Sequence, residues 1–210
     1  MQKSNEVKKV LSSWKKCIEK GGMIRYSNPV YLDDSILDSI LGTNKICISI
    51  FERSLRVIKE SMTNVIFLLT DENGVLLKKV GLSEVWLRPG LSFAEKDCGV
   101  NAISMCLCLD EPVYMLPDYH YCQLFRNWNC YATPILRSKK NCLAVVSINK
   151  SLPKTAIAIV DLLKYKIENE LSDYSHKEDG NIDDYMIKNK ISNRQKVILR
   201  YMAQARTDTN

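Results

Sequence analysis

The chain has 210 residues, 46% of them hydrophobic, which is enough for one domain of ordinary size with helical flanks or one domain plus a small appendage. This composition excludes wholesale disorder, and no segment approaches the roughly 18 to 20 uninterrupted apolar residues that a membrane span needs. The formal net charge of +6 permits a nucleic-acid partner without indicating one. The polar start, Met1–Glu6, leads into no apolar signal core, so we expect a cytoplasmic protein with no membrane partner.

Residues 1–62 are predicted to form helices that pack on the core that follows. Within them, residues 1–20 carry apolar side chains at spacings of three and four, which is typical of one helical face. Residues 33–42 have the pattern of a capped short helix, and another helix is predicted from Thr43 or Asn44 to about Met62. Its wide apolar stripe favours packing against a sheet or a partner helix.

The central part of the chain alternates short apolar runs with turn signals. Val65–Leu69 and Val75–Val80, joined by the turn Asp71–Gly74, predict an antiparallel hairpin. No strand–helix–strand alternation of the parallel type is evident, so we expect an α+β fold. Its antiparallel sheet has about five to six strands with helices on one side, and the N- and C-terminal helices pack together. The remaining predicted elements are a buried helix at 99–109, strands at 111–115, 131–136 and 142–148, and a closing helix from Ser151 or Pro153 to about 171.

Residues 173–190 are acidic and polar around Gly180, and they are the best candidate for a linker. A basic helix is predicted within the final segment, residues 191–210. The core between the N-terminal helices and this linker is accordingly assigned to residues 63–172.

Eight cysteines occur in the chain, but a cytoplasmic protein of this size does not keep disulfides, and there is no Cys-x-x-Cys pair. With only His120 and His176 as further ligands, a zinc site has little support, so we expect no metal and no cofactor. Buried or incidental thiols are the main interpretation. A redox or metal-cluster role stays open as the alternative.

The stretch Gly90–Ile148 is more specific than any single element. It resembles the GAF domain at the N-terminus of bacterial regulators such as the activators of acetoin and of glycerol or dihydroxyacetone catabolism. The turn around Asp71 and the echo of an N-terminal motif at Ser12, Trp14 and Cys17 extend the resemblance to roughly residues 10–170. The matching positions are Gly90, Phe93, Glu95, Gly99, Asn101, Ala102, Ile103, Pro112, Val113, His120, Tyr121, Trp128, Cys130, Ala132, Pro134 and Ile135.

The resemblance implies a GAF-like sensor core with a closed pocket between the sheet and its covering helix. Val100, Ser104 and Tyr119 depart from the family pattern, which leaves the fold in place and the ligand open. Asn101 either caps a helix or orients a ligand; His120 either contacts a ligand or bonds a loop carbonyl; and Trp128 is either a pocket wall or plain core. The predicted ligand-binding residues are Trp86, Phe93, Asn101, Ile103, His120, Trp128, Cys130 and Tyr131.

No catalytic motif is present: the chain has no Gly-rich phosphate loop, no Gly-x-Ser-x-Gly and no His-Glu-x-x-His, so we expect no enzyme. The predicted function is a small-molecule-sensing domain of a bacterial transcriptional regulator. A small effector would rearrange the helices of a homodimer. The alternatives are a ligand-free dimerisation module, or a redox or metal sensor that uses the cysteines.

Residues 191–204 resemble the opening helix of a LuxR-type helix-turn-helix domain, and the matching positions are Arg194, Val197 or Ile198, Leu199, Met202 and Ala203. The chain ends at Asn210, before any recognition helix. The resemblance therefore implies a fragment of a longer regulator that contacts DNA through a domain mostly absent from this chain. A basic terminal helix with no role in DNA binding is the alternative.

Overall fold

A computed structural model describes residues 28–56, 62, 64–82, 84–136 and 141–188, together with residues 8, 11, 12, 15 and 19. Side chains are described as far as Ser172. The predicted helix over 1–20, apart from those five positions, and the predicted output segment 191–210 lie outside the described residues. None of the helices searched in the described part is long and apolar enough to cross a membrane.

The chain divides into two compact units, Met1–Glu168 and Asn169–Asn210. The described helices of the first unit are α1 (Asp34–Thr43), α2 (Lys45–Leu55), α3 (Glu95–Cys98) and α4 (Ala102–Leu109). A further helix, α5, begins at Lys154 in the first unit and ends at Lys188 in the second. The strands are β1 (Ile66–Thr70), β2 (Leu76–Gly81), β3 (Val113–Met115), β4 (Trp128–Pro134) and β5 (Cys142–Ile148). Two single 3-10 turns, Pro117–Tyr119 and Gln123–Phe125, lie between β3 and β4.

All five strands form one antiparallel sheet in the order β2-β1-β5-β4-β3. The predicted α+β fold with an antiparallel sheet of about five strands is confirmed. The turn between β1 and β2 lies where the sequence predicts it, because the Asp71 carboxylate accepts hydrogen bonds from Asn73 N at 3.0 Å and Val75 N at 2.7 Å.

Helices cover both faces of the sheet, and the prediction that they lie on one side is wrong. All five residues of β1 are buried, and so is β5 from Cys142 to Ser147. Because successive side chains of a strand point to opposite faces, such runs need cover on both sides. The uninterrupted apolar run of β1 is present in the sequence, and it is the signal from which cover on both faces of the sheet could be predicted.

We name the two faces by what packs on them. The site face is covered by α4 and by the loops around it, and it carries Ile66, Leu68, Cys130, Ala132, Ala144 and Val146. The opposite face, the helix face, carries Phe67, Leu69, Tyr131, Thr133, Leu143 and Val145. On the helix face, Lys78 of β2 pairs with Glu52 of α2, and Tyr131 of β4 bonds to Asp161 of α5.

Three element boundaries differ from the predicted ones, each for a local reason. The helix predicted from Thr43 or Asn44 to about Met62 begins at Lys45 and ends at Leu55; Asn44, between it and α1, accepts a buried 2.8 Å bond from Asn141 Nδ2. The helix predicted at 99–109 begins only at Ala102, because the preceding Asn101 is extended, with φ −147°. The strand predicted at 131–136 begins earlier, at Trp128.

The segment predicted as an acidic linker, 173–190, is helical as far as Lys188. Most of its residues are compatible with a helix, and a single glycine such as Gly180 costs only about 1 kcal/mol there. The domain boundary that this linker was expected to mark stays a prediction.

Candidate functional site

Four aromatic rings pack together where β4 begins. Phe125 is at the centre, with its ring centroid 4.8 Å from Trp128, 5.7 Å from Phe93 and 6.2 Å from Trp86. Trp86 also stacks on Trp128 at 5.7 Å. Trp86 is half-buried, whereas the other three are at most 3% exposed. These four rings, Trp86, Phe93, Phe125 and Trp128, thus form a close-packed apolar cluster with Trp86 at its rim; below, the space that they occupy together with His120 is called the chamber.

The covering helix α4 begins beside this cluster, and Asn101 is its N-cap. Asn101 Oδ1 accepts hydrogen bonds from Ile103 N and Ser104 N, both at 3.0 Å. Its Nδ2 donates to Phe93 O at 2.8 Å and to Gly99 O at 3.0 Å. An amide has two acceptor lone pairs and two donor hydrogens, and these four bonds occupy all of them. Asn101 therefore orders the wall of the site and has no bonding capacity left for a ligand.

The loop that carries His120 is held against the start of α4. Tyr121 N donates to Val100 O at 3.0 Å. Gly99 has φ +69°, and a Cβ there would lie 2.7 Å from Tyr121 Cδ1, so only glycine fits beside that ring. This contact places His120 next to the aromatic cluster.

His120 is the unusual polar group of the site. It is 1% exposed, its ring meets Phe125 edge-on at 6.0 Å, and neither ring nitrogen has a hydrogen bond of normal geometry among the described residues. Burial lowers the pKa of His120 to about 3, and a weak interaction with the Trp128 backbone opposes this shift only in part. The imidazole is therefore neutral at physiological pH, and apart from this interaction with the Trp128 backbone its donor and acceptor have no partner among the described residues.

The side chains around His120 close the space between α4 and the site face. They pack so tightly that no water-sized molecule fits between them. No charged side chain is among them, and Cys130 is a weak bonding group whose pKa is raised by burial. The lining residues are Phe93, Asn101, Ala102, Ile103, His120, Phe125, Trp128 and Cys130.

Six of the eight predicted ligand-binding residues meet in this lining: Phe93, Asn101, Ile103, His120, Trp128 and Cys130. Whether they bind a ligand stays a prediction. Trp86 lies at the rim, in ring contact with Trp128.

Tyr131 is not part of this site, and its assignment there is corrected. It follows Cys130 directly in β4, so its side chain points to the helix face, where its hydroxyl donates to Asp161 Oδ1 at 2.8 Å.

Two lining residues were not predicted, Phe125 and Ala102. Ala102 is the first residue of α4, beside the Asn101 cap. Phe125 lies in a loop, where no periodicity indicates which side chains are buried. The only signal in the sequence was a large apolar residue three positions before Trp128, within the family-like stretch.

The described cysteines are mostly buried free thiols. Cys108 is exposed, and the other six are buried. Burial raises the pKa of the Cys47 thiol to about 12 and holds the pKa values of Cys98 and Cys142 well above the usual value. Cys106 and Cys142 approach within 3.7 Å between sulfurs. No group of three or more ligating side chains in the described part of the chain is placed to hold a metal ion.

Comparison with known proteins supports the fold through structure alone. No protein-family model and no curated protein sequence matches the chain. A chain in the crystal structure of the DhaR(N)–DhaL complex of E. coli is similar, with a TM-score of 0.76 and 18% identity, over 88% of this chain and 67% of that one. A GAF domain/HD domain protein from Geobacter sulfurreducens gives a TM-score of 0.39 and 15% identity, over 65% of this chain and 97% of that one. The similarity to the first structure confirms the expected α+β fold.

Proposed function

We propose that this protein is a sensing domain of a bacterial transcriptional regulator that binds a small molecule between α4 and the site face of the sheet. The observation that carries this proposal is His120, a buried and neutral imidazole with no hydrogen-bond partner of normal geometry among the described residues. A buried polar group without a partner costs roughly 1–3 kcal/mol. A ligand that bonds to the ring would recover this free energy, so binding and closure of the site would be coupled.

The similarity in fold to DhaR(N) supports a regulatory role over a catalytic one. We propose that the protein is not an enzyme. The lining has no carboxylate, and its one thiol, Cys130, has a pKa raised by burial and makes no hydrogen bond to His120, so the two do not form an activated nucleophile–base pair.

A signal would reach α5 through β4. Cys130 lines the site, and its neighbour Tyr131 bonds to Asp161 of α5 on the opposite face of the sheet. A shift of β4 on binding would therefore move both the site wall and the anchor of the helix. Leu162 and Tyr165 of α5 are 69% and 66% exposed, which suits a homodimer contact along this helix.

The proposed contact with DNA does not involve the residues of the described site. It rests on the resemblance of residues 191–204 to the start of a helix-turn-helix domain, which would belong to an output domain beyond the sensing core.

A thermal-shift screen of small metabolites on the full chain tests this function. A compound that raises the Tm of the wild-type protein and has no effect on His120→Leu would support binding at this site. An Asp161→Asn variant serves as a matched control, because it lies on the far side of the sheet and should keep the shift. If no metabolite changes the Tm, the sensing role is contradicted.

A second candidate is a ligand-free module that dimerises or docks another protein. The tight packing of the site favours it, as do the two exposed apolar side chains of α5, Leu162 and Tyr165. The similar E. coli structure is itself a complex of DhaR(N) with DhaL. The substitutions Leu162→Ser and Tyr165→Ser separate the two candidates. Both candidates predict that these changes break the assembly. Only the second candidate predicts that they abolish the function when no ligand is present.

A further inference from the structure

The interior of the site is filled by a side chain of the protein itself. The Phe125 ring lies within 6.2 Å, centroid to centroid, of Trp86, Phe93, His120 and Trp128, which surround it. The side chain is 1% exposed although it comes from a loop. The chamber is therefore shaped for one six-membered aromatic ring.

Phe125 cannot satisfy the one polar group that faces it. The His120 ring meets Phe125 edge-on, and a phenyl ring has no hydrogen-bonding group for the imidazole nitrogens, while the amide of Asn101 is fully bonded within the cap of α4. A ring of the same size with one hydrogen-bonding substituent would fill the same volume and also bond to the imidazole. It would therefore be a better occupant than Phe125.

Phe125, the side chain that a ligand ring would have to displace, lies on a short turn. Phe125 N donates to Cys122 O at 3.1 Å and Arg126 N donates to Gln123 O at 3.2 Å, so these bonds join neighbours within the turn. Tyr121 N, bonded to Val100 O, and Asn127 O, bonded to Asn149 N, anchor the two sides of this turn. For Phe125 to leave, this turn would have to move between the two anchors, together with the buried Cys122 and with Leu124, which packs against the core.

The absence of charged side chains from the lining limits the chemical class of a ligand further. No charged side chain lines the chamber, and its imidazole is neutral at physiological pH. An ionised ligand would be buried there without a counter-charge, which costs far more than one hydrogen bond returns. The occupant is therefore uncharged.

We propose that the site binds an uncharged aromatic molecule with one hydrogen-bonding group, which takes the place of the Phe125 ring and bonds to His120. This inference rests on the proposed sensing function for its biological meaning, but the chemistry of the site can be tested separately. Trp128 and Phe93 would contact the faces and edges of the ring, and half-buried Trp86 would close the chamber at its rim.

The test uses phenol, toluene and benzoate as probes, with the full chain at pH 7.5 and calorimetric titration. Phenol is neutral at this pH and bonds to imidazole, toluene lacks the polar group, and benzoate is an anion. In Phe125→Ala the chamber is open, and an apolar cavity of about 150 Å³ is known to hold a benzene ring. We expect phenol to bind this variant at least about 10-fold more tightly than the wild type, because no phenyl ring has to be displaced.

The decisive quantity is the preference for phenol over toluene. It should fall about 3- to 10-fold when His120→Leu is added to Phe125→Ala, since one net hydrogen bond is lost. Phenol should also shift the imidazole ¹⁵N resonances of His120. Phe67→Ala is the matched control, because it opens a cavity on the helix face, away from His120, and there the preference should not depend on His120. Phe125→Leu replaces Phe125→Ala if the latter does not fold.

Three results would overturn the proposal: equal preference with and without His120, binding of benzoate as tight as that of phenol, or no binding of any ring to the opened variant. If a charged or aliphatic metabolite instead raises the Tm of the wild type through His120, the aromatic class is wrong and the sensing function stands. If phenol binds as described but no metabolite shifts the wild type, the site chemistry stands and the sensing function falls.

Discussion

The hydroxyl of Tyr131 donates a 2.8 Å hydrogen bond to Oδ1 of Asp161, which joins the middle of β4 to α5 on the face of the sheet opposite the site. Tyr131→Phe removes this bond and keeps the ring. Because the pair is solvent-exposed, we expect the free energy of unfolding to fall by only about 0.5–1 kcal/mol, measured by urea denaturation.

Tyr165→Phe is the control for this change, since Tyr165 lies on the same helix and is 66% exposed. It should leave stability unchanged. A Tyr131→Phe protein as stable as the wild type would show that the bond contributes nothing to the attachment of α5.

The cap of α4 gives a second prediction. Asn101→Ala deletes two acceptor bonds and leaves Phe93 O and Gly99 O without the donor they have now. We expect a loss of at least about 2 kcal/mol in the free energy of unfolding, above the usual effect of an N-cap. Ser104→Ala removes the bond from Asn101 N to Ser104 Oγ and the bond from Ser104 Oγ to Asn101 O, both partly exposed, and should cost less than Asn101→Ala, about 1 kcal/mol. Equal losses in the two variants would contradict the central role assigned to Asn101.

His120 predicts a pH dependence of stability. Its pKa is lowered to about 3 by burial, against about 6.5 in the unfolded chain. As the pH falls below 6.5, the unfolded state takes up a proton that the folded state does not bind, so stability is lost progressively down to pH 3. The slope approaches about 1.4 kcal/mol per pH unit below pH 6, so about 2 kcal/mol is lost between pH 7.5 and pH 5. Well above pH 6.5 the group contributes no pH dependence.

The measurement is the difference in unfolding free energy between the wild type and His120→Leu at pH 7.5 and pH 5. The variant cancels the contributions of the carboxyl groups that both proteins share. We expect the variant to gain relative to the wild type at pH 5. Parallel profiles would mean that His120 is protonated with an ordinary pKa in the folded protein.

The thiols give a fourth prediction, which bears on the redox alternative. In the folded protein at pH 8, a thiol reagent should label Cys108 quickly and the six buried cysteines only upon unfolding. Cys17 lies outside the described residues, so the experiment uses Cys17→Ser to keep the count clear. Rapid labelling of Cys106 or Cys142, or a Cys106–Cys142 disulfide after mild peroxide treatment, would favour a redox sensor.

Several features could be predicted because they depend on neighbours in the chain. The apolar runs Val65–Leu69 and Cys142–Ile148 predict strands, Asp71–Gly74 predicts the turn between the first two, and Asn101 was identified as a possible cap. The order of motifs between Gly90 and Ile148 also indicated the GAF-like fold. These signals are local, since propensity, turn chemistry and capping act over a few residues.

Other features were decided by tertiary structure. The sequence placed Cys130 and Tyr131 together in the site, but the register of β4 sends them to opposite faces, and register depends on partner strands distant in the chain. The two-sided cover of the sheet likewise depends on where α2 and α5 pack.

By itself, then, the sequence determined the strands, their turn, the cap of α4 and a family resemblance, because each of these is specified by residues close together in the chain. Only the tertiary structure decided which polar group of the site is fully bonded within the protein. Asn101 is fully bonded and His120 is not, and Phe125 fills the space between His120 and Trp128. The physical reason is that hydrogen-bond satisfaction and close packing are set by atoms brought together from separate segments, which no local pattern encodes.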